Sequence, residues 1–167
     1  MAKELPHETY MKRAIELSAK AGLEEQTGGC FGALIVDKET GEVVGEGYNK
    51  VILNNDPTWH GEMEAIREAC KARGSPHIPG TVCYTSAQPC PMCYTAIMWA
   101  RVDHVYYGAT YEDVMENGKF EDSDFLGELR KPDDQRAIKC EIVCREEAVE
   151  VWRKYRVLAE KGLVKHY

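Results

Sequence analysis

No stretch of this 167-residue chain approaches the roughly 18 consecutive apolar residues that a membrane-spanning helix requires. The N-terminus, Met1-Ala2-Lys3-Glu4-Leu5-Pro6, lacks the apolar run of a secretory signal. Internal repeats and low-complexity tracts are missing too. The 7 cysteines are odd in number and lack a disulfide-framework spacing, which argues against a small stapled secreted scaffold and fits a reducing compartment. Positive charge is not in excess either. The formal net charge is −7, which disfavours a nucleic-acid partner, because phosphate contacts dominate such affinity. These absences lead us to expect a single cytoplasmic domain over residues 1–167 with no membrane partner. At 44% hydrophobic residues the chain can bury a sizeable core.

What is present alternates between helical and strand periodicity. The pattern predicts a helix over His7 to Ala21, then strands over Phe31 to Asp37 and Glu42 to Asn49, joined by the turn signal Glu39-Thr40-Gly41. A helix from His60 to Arg73, a strand from Thr81 to Ser86, a helix from Cys90 to Ala100 and a strand from His104 to Tyr107 follow. Past Thr110 the pattern weakens. Met115 to Leu129 is polar with short apolar islands, and Arg130 to Asp134 reads as a loop. A strand near Ala137 to Val143 and a helix from Glu146 to about Glu160 complete the chain. The expected fold is an α/β three-layer α/β/α sandwich with a central mixed five-stranded sheet, mixed because its opening hairpin is antiparallel.

Within this frame, His60-Gly61-Glu62 and Pro89-Cys90-Pro91-Met92-Cys93 carry the chemistry. Zinc prefers nitrogen and thiolate donors in a tetrahedron, and a catalytic site keeps one corner for water. His60, Cys90 and Cys93 supply three donors, with no obvious fourth nearby. Cys90 and Cys93, three apart at the mouth of a helix, stand one above the other, and the positive end of the helix dipole favours their thiolate forms. Zinc held this way would bring the pKa of a water from about 15.7 toward roughly 7. Glu62 is two residues past His60, turned about 200° from it on a helix. That suits a proton shuttle better than a fourth ligand. The same H-x-E…P-C-x-x-C pattern marks zinc nucleobase deaminases.

Other uses of these motifs fit less well. A structural zinc site would need a fourth Cys or His. Cys83, the nearest candidate, alternates with Val82 and Tyr84 on a strand and reads as a buried hydrophobe. A redox role for Cys-x-x-Cys is weakened by Pro89 and by the lack of a βαβ lead-in. The basic run Trp152-Arg153-Lys154-Tyr155-Arg156 could suggest RNA. On a helix, however, Ala148, Val151, Trp152, Tyr155, Leu158 and Ala159 form one apolar face with the bases on its flank. Cys70 and Cys140 are expected to pack in the core, His77 to lie in a loop away from the metal, and Cys144 has no assigned role.

The chain resembles the cytidine deaminase superfamily, and in particular the small bacterial guanine deaminases. The likeness extends from His7-Glu8-Thr9-Tyr10-Met11-Lys12-Arg13-Ala14 almost to Tyr167. Its most specific parts are Gly28-Gly29-Cys30-Phe31-Gly32-Ala33, Asn55-Asp56-Pro57-Thr58, Pro89-Cys90-Pro91-Met92-Cys93 and Phe120-Glu121-Asp122-Ser123. The resemblance implies hydrolysis of guanine to xanthine and ammonia with one Zn2+ per active site. His60, Cys90 and Cys93 would be ligands and Glu62 the shuttle. Phe31 would stack on the purine, Asn49 would offer its amide to the base, Asp122 would accept purine N–H groups, and Tyr167 would act as a lid. It further implies a homodimer whose C-terminal segment, about residues 145–167, is exchanged between subunits.

Three positions depart from the family pattern. Gly61 stands where Ala is usual and resembles fungal-type cytosine deaminases. Trp59 replaces a small residue, and Gln88 replaces a common Glu. Another aminated heterocycle, of cytosine, isocytosine or triazine type, is therefore the alternative substrate. A tRNA adenosine deaminase and a non-catalytic zinc module are the further alternatives.

Overall fold

A computed structural model describes residues 5–120 and 124–165. The chain divides into two compact units, Met1–Asp122 and Ser123–Tyr167. The first unit opens with α1 (His7–Ala19), which continues as a π-helical turn over Lys20–Glu24. Strands β1 (Gly32–Asp37) and β2 (Val43–Tyr48) form the expected hairpin. There follow α2 (Val51–Asn54), α3 (Gly61–Arg73), β3 (Thr81–Ala87), α4 (Pro91–Trp99), β4 (His104–Ala109) and α5 (Tyr111–Gly118).

The described strands make one mixed sheet of order β2-β1-β3-β4. Strand β1 is antiparallel to both neighbours, and β3 is parallel to β4. Alternation along β1 and β3 separates two cores. Leu34, Val36, Val82 and Tyr84 face α1 through Ala14 and Leu17. Ala33, Ile35 and Cys83 meet Ala65, Ile66 and Ala69 of α3 and Ile97 of α4. Helices thus cover both faces of the sheet, as a three-layer sandwich requires.

Glycines on β2 let α3 approach the sheet closely. A Cβ added at Gly45 would lie 2.3 Å from the Ala65 carbonyl oxygen, and one at Gly47 would lie 2.5 Å from that of Gly61. Both distances are impossible for a real side chain. This close seat fixes the start of α3, and with it the residues that follow His60.

The second unit holds α6 (Phe125–Arg130), a 3₁₀ turn at Asp133–Gln135 and α7 (Arg145–Glu160). The strand expected over Ala137 to Val143 is not formed, and the described sheet has four strands rather than five. Ile138, Cys140 and Ile142 do alternate, yet a strand needs a neighbouring backbone to pair with, and these residues find none among the described residues; Ile138 and Ile142 are each 82% exposed. Cys140, expected in the core, is exposed as well. Helix α7 matches its expected span within one residue. Its apolar face is open, with Trp152 at 68% exposure. Arg153 pairs with Glu146 and Glu150, and Arg156 with Glu160, so these bases are matched by acids of their own helix.

No helix among the described residues is long and apolar enough to cross a membrane.

Candidate active site

His60 and Cys90 sit just before α3 and α4, as the N-cap residue of each, with extended backbone at φ −78°, ψ 157° and φ −64°, ψ 165° respectively. Both helices were expected to include these residues and instead begin one position later. An extended N-cap turns its side chain over the helix end, toward the third helical position. In α4 that position is Cys93, which is buried. Pro91, with no N–H to leave unsatisfied, suits the first helical position.

The three donors converge. His60 Nδ1 is 3.6 Å from Cys90 Sγ and 3.5 Å from Cys93 Sγ. A tetrahedral zinc with Zn–N near 2.0–2.1 Å and Zn–S near 2.3 Å holds nitrogen and sulfur about 3.6 Å apart. The spacing therefore fits zinc, and Nδ1 is the nitrogen that faces the sulfurs. Among the described residues, His60, Cys90 and Cys93 form the one group of three or more His, Cys, Asp or Glu able to hold a metal.

Charge in this pocket is crowded. A hydrogen bond from Cys93, with support from His60, holds the Cys90 thiol down at about 4. The same bond to Cys90 and burial push Cys93 the other way. Burial also raises Glu62, with the Cys90 charge adding to the rise. A dication would relieve this crowding, which is the condition a thiolate-rich metal site should meet.

Glu62 is only 4% exposed. Its Oε2 lies 3.5 Å from Cys93 Sγ, and its Oε1 lies 3.1 Å from Thr85 Oγ1. The carboxyl group thus stands beside the donors without joining the set. Thr85 is not legible in the sequence, because a threonine in a strand carries no signal beyond β-propensity.

Phe31 and Asn49 are held against this centre by backbone. A Cβ on Gly61 would lie 3.1 Å from the Phe31 carbonyl oxygen and 3.2 Å from both Gly32 Cα and the Gly47 carbonyl oxygen. That same Phe31 carbonyl accepts the Asn49 N–H at 2.9 Å. The Phe31 ring is half-buried and meets Phe120 edge-on, with centroids 5.3 Å apart. Asn49 is buried, and its Oδ1 accepts the Val51 N–H at 3.1 Å. Only an oxygen can accept there, so the amide orientation is fixed and Nδ2 is the end that can donate elsewhere. Asp122 and Tyr167 lie outside the described residues.

Two of the three departures have local work. Trp59 lies under the Arg67 guanidinium, 5.2 Å from ring centroid to guanidinium carbon, and its carbonyl accepts the Lys50 N–H. Gln88 accepts the Tyr111 N–H at 3.4 Å and donates its own N–H to Ala109, while the Tyr111 hydroxyl donates to the Pro89 carbonyl. Gln88 thus ties the Cys90 loop to α5. Cys83 is fully buried, and Cys70 is partly buried against the α3–α4 core, as expected. His77 is not among the grouped donors.

Residues 5–109 match the cytidine and deoxycytidylate deaminase zinc-binding region. The chain belongs to this family. Among curated deaminases it is 42% identical to the guanine deaminase of Bacillus subtilis (strain 168) over 155 residues, covering 93% of this chain and 97% of that one. It is 36% identical to a tRNA-specific adenosine deaminase of Buchnera aphidicola subsp. Schizaphis graminum over 108 residues, covering 65% of this chain and 69% of the relative. A crystal structure of the B. subtilis guanine deaminase superposes with a TM-score of 0.88 at 40% identity, covering 98% of this chain and 99% of that one. The likeness to the guanine deaminase includes the C-terminal unit, which the zinc-binding region alone does not reach.

Proposed function

We propose that this deaminase is a zinc-dependent hydrolase that converts free guanine to xanthine and ammonia. One observation carries the chemistry: a buried carboxyl group, Glu62, stands beside three donors spaced for a tetrahedral zinc. In this proposal His60, Cys90 and Cys93 hold one zinc per active site, and the ion supplies Lewis acidity toward a water molecule. Glu62 would carry one proton of that water to a ring nitrogen, which keeps it, and then carry the second, from the added hydroxyl, to the amine as it leaves and the new carbonyl forms, a role worth about 10²–10⁴-fold in rate.

Guanine is supported by the near full-length similarity to a guanine deaminase. The donating end of the Asn49 amide, Nδ2, is suited to O6 or N7 of the base, and Phe31 to its face. Asp122 and Tyr167 take the roles of N–H acceptor and lid by family resemblance. The open apolar face of α7 supports a homodimer in which residues 145–167 are exchanged between subunits. A cytoplasmic setting suits seven free cysteines.

The test is to incubate zinc-loaded protein with guanine, cytosine, isocytosine, adenine and triazines, following ammonia. Release from guanine with equimolar xanthine is expected. Release from another base alone would retire guanine and leave the deaminase. Salt-sensitive binding of an anticodon stem-loop would point to tRNA instead.

A further inference from the structure

Thr85 lies on β3, two residues past Cys83 and therefore on the sheet face that α3 and α4 cover. Its side chain is buried, with Oγ1 3.1 Å from Glu62 Oε1 and 3.1 Å from the Ala87 carbonyl oxygen. The other Glu62 oxygen, Oε2, is the one near Cys93. The two carboxyl oxygens are thus divided between the strand and the ligand group.

We propose that Thr85 is a positioning residue: its hydroxyl pins Glu62 Oε1 so that Oε2 is presented to the metal side of the site. This role presupposes the deaminase function above. The terminal torsion of a glutamate is broad, so a carboxyl group needs an outside partner to fix its plane. A threonine is a good partner because its β-branched side chain is stiff about χ1. The hydroxyl has one proton and two nearby acceptors. Sharing that proton with the Ala87 carbonyl anchors the hydroxyl to its own strand, so the hold on Oε1 does not depend on mobile groups.

The test compares zinc-loaded T85V, T85S and parent enzyme. Valine keeps the shape and removes the hydroxyl. T85V should retain zinc and KM while kcat falls about 10–100-fold, the usual effect of losing a group that orients a metal-site residue. T85S should recover most of kcat. In an E62Q background, T85V should cost nothing further, whereas a merely structural role would lower residual turnover there too. Parental kcat in T85V, or an equal loss in both backgrounds, overturns the proposal. If T85V does not hold zinc or fold, T85S against T85A decides, since that pair differs by the hydroxyl alone. Equal rates overturn it, and a faster serine variant supports it. An inactive parent would identify failure of the deaminase function itself, and the Thr85 role would fall with it.

Discussion

His60 and Cys90 occupy the same structural position on two different helices, each the extended residue that caps an N-terminus. Their side chains meet with His60 Nδ1 3.6 Å from Cys90 Sγ. The centre is therefore assembled from two helix entries brought together on one face of the sheet. Glycines at 45 and 47 set the depth of the α3 entry.

Replacing Glu62 by Gln separates chemistry from metal binding. E62Q should keep zinc and fold and lose about 10²–10⁴-fold in turnover, measured as ammonia release alongside zinc content.

The same variant should be more stable than the parent when both are metal-free. Burial raises the Glu62 pKa, so the folded state holds this proton more tightly than the unfolded chain does. Stability from that proton is full below the ordinary carboxylate range and is lost as pH rises through the raised value. The advantage of E62Q should grow over that rise and then level off. Urea unfolding of the stripped proteins across pH will show it; a pH-independent difference would contradict it.

Zinc uptake should release protons near pH 7, because the Cys93 thiol, pushed up by its bond to Cys90 and by burial while Cys90 is held down, must bind the ion as a thiolate. Affinity should then weaken on acidification. Calorimetry in buffers of different ionisation enthalpy counts the protons, and zinc uptake with no proton release would contradict this.

Asn49 can be probed without disturbing its Val51 contact. N49D keeps an oxygen to accept the Val51 N–H and replaces the donating end by a second oxygen. We expect kcat/KM for guanine to fall by at least about 5–150-fold, the cost of leaving a buried acceptor unpaired, with zinc content little changed and a lower melting temperature, because a carboxylate at this buried position loses its hydration.

The departure at Gly61 has a steric meaning. The 3.1–3.2 Å spacings around its missing Cβ involve main-chain atoms of residues 31, 32 and 47, which yield only by small backbone shifts. G61A should therefore destabilise the protein by about 1 kcal/mol and still bind zinc, as thermal unfolding and metal analysis would report.

Much of this organisation was legible in the sequence, and the failures have physical causes. The strands around β1 and β3 were readable because both of their faces are buried by regular alternation, and the ligand motifs because metal donors have few substitutes. Helix α5 was missed although Thr110 and Asp113 form a reciprocal capping box at its start. An Asp in place of the usual Glu hid that signal. The segment from Ala137 to Val143 misled in the opposite direction, since periodicity cannot supply a pairing strand. Thr85 was invisible because its role depends on a residue 23 positions away meeting it across the core.

X-ray absorption at the zinc edge tests the central claim most directly. Zinc-loaded protein should show two sulfurs near 2.3 Å and two lighter N/O donors near 2.0–2.1 Å, with the same sulfur count in E62Q and fewer sulfurs in C90S. Three or four sulfurs, or no zinc retained by the purified protein, would contradict an open site held by one imidazole and two thiolates.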